Sequence, residues 1–142
     1  MSSIPAVRDR LERADSLPAV LDAAHDAFGS MLSAIRAQED PATGLFIPLV
    51  MAAASAAEGR NALAFAPALP SRPLPAAPTR DEPTSAASVQ VVTASLAALS
   101  ELLAARLTDA ARDASGHGDQ AACRDAARSA WEIHALLTGN GP

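Results

Sequence analysis

The sequence predicts an all-α protein, a four-helix bundle made of two helical hairpins joined by a Pro-rich linker, with a short N-terminal lead helix. Three observations carry that expectation. About a quarter of the 142 residues are Ala, the residue with the best helix propensity and no side-chain entropy to lose. Apolar residues recur at three- and four-residue spacing in four long stretches, and no run alternates apolar with polar long enough to make a strand. Prolines 67, 70, 73, 75, 78 and 83 fall in one segment without periodicity, which reads as an extended, semi-rigid connector. The expected organisation is therefore one helical domain over 1–142, with hairpins at 16–66 and 84–138 and a linker at 67–83.

The lead helix starts at Pro5, where the missing N–H costs no hydrogen bond, and carries Arg8/Glu12 and Asp9/Arg13 at i,i+4. Ser16 caps the next helix, in which Leu17, Leu21, Ala24, Phe28, Met31 or Leu32, and Ile35 form one stripe with Asp22, Asp26 and Ser33 opposite. Gln38 to Pro41 ends it. Asp40 or Thr43 then caps a helix running to about Phe65, with Phe46, Leu49, Val50, Ala53, Ala57 and Ala64 expected on its inner face. Ile47 and Met51 fall on the other side, so its first half is apolar nearly all round, and such a helix is either central in its fold or covered by a partner.

Beyond the linker, Thr84 or Ser85 caps the longest helix, expected to reach Ser115. Val89, Val92, Leu96, Leu99, Leu103 and Ala110 hold heptad spacing there, with Arg106 where another apolar residue would fit. Arg106 is either a snorkelling edge residue or half of a pair with an acid from a neighbouring helix. Gly116 and Gly118 stop that helix, and Asp119 is the expected cap of the last one, whose inner face is Cys123, Ala126, Ala127, Ala130, Ile133, His134 and Leu137 before Gly139. The linker is long enough either for an overhand crossover or for a simple return. No internal repeat occurs, and the PxxP spacings in the linker are a docking motif only in the weakest sense.

Charge narrows the function classes. The net charge is −5, and all eleven basic residues are Arg, with no basic stripe in the sequence to drive binding to a phosphate backbone. Nucleic acid is not an expected direct ligand. The most apolar stretch, 45–57, is interrupted by Pro48 and Ser55 and spans about 20 Å as helix against the ~30 Å of a bilayer core, so no membrane association is expected. The single Cys123 excludes an internal disulfide, and with no secretory segment in the first fifteen residues the expected location is cytoplasmic.

No catalytic constellation stands out: no Gly-x-Ser-x-Gly elbow, no phosphate-cradling glycine loop, and no base predictably beside Cys123, a first-turn residue with Arg124 next to it. Helical bundles can hold metals on inward Glu and Glu-x-x-His pairs, but Glu58 is followed by Asn61 and Glu132 by Ala135. Neither a catalytic residue nor a cofactor is expected. His25 and His134 are the candidate titrating or ligand-contact residues, while His117 between two glycines reads as a loop residue. Ile47, Met51 and Trp131 are the candidate interface residues. The reading is a non-enzymatic helical protein acting by protein–protein association, as a homo-oligomer or with a protein partner; the alternative is a small-molecule- or metal-binding bundle using His25 and His134. A regulatory subunit reaching DNA through a partner is a weaker third reading, since no short recognition helix with Arg on one face occurs.

Overall fold

The computed structural model describes residues 4–37, 46–69 and 89–139. It contains five helices: α1 (Ile4–Arg13), α2 (Leu17–Ala37), α3 (Phe46–Ala64), α4 (Val89–Asp113) and α5 (His117–Thr138), with no strand among the described residues. The expected caps Asp40, Thr43, Thr84 and Ser85, the 38–41 turn and most of the linker lie outside the described residues.

The all-α expectation holds, but the simple four-helix, two-hairpin bundle does not form. α5 packs along both α4 and α3, α2 packs along α3 and also touches α4, and α1 lies across α2 and α4. The result is a ring, α2–α3–α5–α4, with α1 closing the seam between its two ends. The lead helix is thus a full member of the core: Val7 and Leu11 have no exposed surface. Its apolar row, Ile4, Val7 and Leu11 continued by Ala14 just past the helix, packs into the core at three- and four-residue spacing.

Two polar devices fix α1. Arg106, half-buried on α4, donates from Nε to the Leu11 carbonyl at 3.2 Å and from its guanidinium to the Ala14 carbonyl, so it satisfies the orphan carbonyls at the α1 C-terminus. It is neither a snorkelling residue nor an ion-pair half. Arg10 bridges to α2, pairing with Asp22 at 2.9 Å and with Asp26. The i,i+4 pairs Arg8–Glu12 and Asp9–Arg13 are both present at 3.3 Å.

Ser16 caps α2 as expected, its hydroxyl accepting the Ala19 N–H at 3.3 Å. Leu21, Ala24, Phe28, Met31, Leu32 and Ile35 are buried, and so are Val20, Ala23 and Ala27; α2 is covered from several sides, so its buried face is wider than one stripe. At the α2–α3 crossing the Phe28 ring lies against Gly59, where an added Cβ would stand 2.5 Å from the ring. The glycine, costly in mid-helix, makes room for the largest buried side chain.

α3 turns differently from the expected inner face. Leu49, Ala52, Ala53, Ala56 and Leu63 are buried, whereas Val50 and Ala64 are exposed. α4 buries two rows, Leu96, Leu99, Leu103 and Ala110 on one and Ala104, Leu107 and Ala111 on the other, because α5, α2 and α1 all contact it. From Val91 to Asp113 it is long and apolar enough to cross a membrane by length and composition, a test that the core helix of a bundle also passes. Asp119 does not cap α5. Gly116 occupies the N-cap position without a side-chain bond, and the Asp119 carboxylate accepts the Ala68 N–H at 2.9 Å, tying the chain leaving α3 to the start of α5. Gly139 ends α5 in the left-handed conformation, φ 73°.

Those ties set the helix directions. Ala68 meets Asp119 and Ser55 bonds Glu132 at 3.2 Å, so α3 and α5 are antiparallel. The short connection at 114–116 makes α4 and α5 antiparallel as well. α3 therefore ends where α4 ends, and α4 begins at the opposite end of the bundle, about 37 Å away for a helix of 25 residues. The route of the linker between them lies outside the described residues.

Candidate functional site

The outward face of α3 is the most apolar exposed surface. Ile47 is 69% exposed, Met51 52%, Val50 40% and Phe65, just past the helix end, 84%. Ile47, Met51, Ala54, Glu58, Asn61 and Phe65 follow each other at spacings of four, three, four, three and four, the heptad rhythm of a helix–helix seam. Every member of that row is exposed. Ile47 stands at one end of the row and Phe65, just past the helix end, at the other. The row is bulky at both ends and small or polar at its centre.

The sequence located Ile47 and Met51 on this face but assigned Val50 to the core and gave Phe65 no role. Phase explains both. The inner face is centred on Ala52, Ala56, Gly59 and Leu63, and Gly59 carries no hydropathy signal by which to centre it; only the Phe28 contact reveals its role.

Trp131 is half-exposed, at 50%, but borders the groove between α4 and α5; it does not join the Ile47–Met51 row. Its ring meets His134 edge-on at 5.7 Å. His134, expected on the core face, is only partly buried and lies 3.9 Å from Glu101 across α4 and α5. His25 is half-buried on α2 and engaged within the fold. α2 and α5 share no packing seam, so the two histidines are not brought together. Among the described residues no group of three or more His, Cys, Asp or Glu side chains is placed to hold a metal. Cys123 is fully buried, and burial first, then the nearby Asp119 carboxylate, pushes its thiol up to about 11. That is the opposite of an activated nucleophile.

Comparison with protein-family models, with characterised proteins and with solved structures yields no match to this chain.

Proposed function

We propose that this protein acts by self-association, two copies pairing antiparallel through the outer row of α3. The observation that carries it is the exposed heptad row ending in Ile47 and Phe65; under a two-fold axis each end would face the other. Exposed bulky apolar residues aligned on one helix face favour burial against a partner, and Ala54 near its centre permits close approach of two helices. Glu58 and Asn61 set polar residues within the seam, which costs stability and selects one register over others. The reading is of a non-enzymatic association module in the cytoplasm; the compartment rests on the lone cysteine.

Sedimentation equilibrium tests it. The wild-type chain is expected at twice its 14.4 kDa mass at micromolar concentration, and Ile47→Glu with Met51→Glu at the monomer mass with an unchanged helical circular-dichroism spectrum. A wild-type mass that stays monomeric, or a dimer untouched by both substitutions, contradicts the reading.

A further inference from the structure

We propose that the groove between α4 and α5 binds a small phosphate ester carrying an aromatic ring, independently of the α3 row. Three arginines line this groove, Arg124 and Arg128 at i,i+4 on α5 and Arg112 from the last turn of α4, and Arg128 also borders the neighbouring α3–α5 groove beside Glu58, Asp125 and Glu132. Trp131, one turn beyond Arg128, lines the α4–α5 groove of about 350 Å³, the low end of the range for small-molecule sites. No acid lines it, in a chain where acids outnumber arginines sixteen to eleven.

Two of the three lack a carboxylate partner among the described residues. Arg8, Arg10 and Arg13 are paired with carboxylates and Arg106 with carbonyls. Among the described residues, by contrast, Arg124 and Arg128 have no ion pair, and Arg112 reaches only Asp109 at 3.9 Å with both side chains largely exposed. Three cations lining one groove suit a compact dianion. A phosphate monoester brings nearly two charges and three acceptor oxygens, and guanidinium forks take it by paired hydrogen bonds. The half-exposed indole supplies a flat apolar surface for a ring on the same ligand. Asp109, Asp113 and Asp125, all exposed, lie within a turn of the arginines and disfavour the continuous phosphates of a nucleic acid over a single small ester.

Trp131 is the only Trp, and the chain has no Tyr, so intrinsic fluorescence reports on this groove alone. Adenosine monophosphate titrated into the full chain is expected to change Trp131 emission saturably. Adenosine and inorganic phosphate, each offering half of the ligand, are expected to bind at least tenfold more weakly. Arg112→Gln and Arg124→Gln, both at exposed positions, are each expected to weaken the nucleotide at least fivefold with unchanged circular dichroism. Absence of a saturable response to the nucleotide, equal binding of adenosine or of phosphate, or wild-type affinity in both variants overturns the proposal.

Discussion

Gly59 and Phe28 pack directly against each other where α2 crosses α3. A Cβ at position 59 would stand 2.5 to 2.9 Å from three atoms of the Phe28 ring, inside any tolerable contact. Gly59→Ala gains up to ~1 kcal/mol of helix propensity but forces overpacking that costs about 1–3 kcal/mol. Net destabilisation is expected in urea unfolding, and Phe28→Leu in the same chain should recover part of it. An increase in stability for Gly59→Ala alone would show that α2 and α3 do not meet there.

Cys123 makes a second prediction at this scale. The chain has no Lys and no Tyr, and Arg titrates above about 12, so between pH 9 and 11 this thiol is the one side chain that loses a proton. Its folded-state pKa is raised from 9.0 to about 11. The neutral thiol therefore contributes stability that is complete below the unfolded value and is lost as pH rises through the folded one. Chemical unfolding over that range should show stability falling by at most ~1.4 kcal/mol per pH unit, the slope of one proton. Cys123→Ala should be flat over the same range. A thiol reagent that labels the native chain at the rate of a free thiol would mean that Cys123 is not buried.

At the scale of elements, α1 is held to the bundle by its two buried side chains and by Arg106. Arg106→Met keeps the stem and removes the donors, leaving the Leu11 and Ala14 carbonyls without that partner. Unmade bonds of that kind cost roughly 1–3 kcal/mol, and hydrogen exchange should accelerate in α1 before it does in α5. Uniform exchange across all helices in that variant would mean that Arg106 does not hold α1.

The helices themselves were legible because Ala content, caps and three-four spacing all act within a few residues. The i,i+4 pairs of α1 and the Ser16 cap were read from spacing, as was the glycine stop at 139. Which side of a helix is inside was legible only where large side chains mark one stripe, as in α2. α3 lacked such a marker because it is apolar on both faces, and its phase is set by a glycine. Arg106 was recognised as anomalous, but its partners are backbone carbonyls more than ninety positions away, which no local pattern can name. The arginine groove was hidden for a similar reason: Arg112 and the Arg124–Arg128 pair lie on separate helices and look evenly spread along the chain.

For the whole molecule, the ring α2–α3–α5–α4 arises from small side chains. Ala-lined α5 can be approached closely on two sides at once, so it serves both α3 and α4 instead of belonging to one hairpin. That places α3 on the rim with one face in the core and the other facing outward, which is how a helix whose first half is apolar nearly all round can fold and still leave Ile47 and Met51 exposed. In the proposed antiparallel pair, Ile47 of one copy adjoins Phe65 of the other, while like positions lie at opposite ends of the row.

Disulfide trapping reads that arrangement directly, in a Cys123→Ala background. An equimolar mixture of Ile47→Cys and Phe65→Cys chains is expected to yield a covalent dimer under mild oxidation, and neither chain alone should do so. A mixture that stays monomeric, or as much dimer from each chain by itself as from the two together, would contradict the antiparallel pairing of α3.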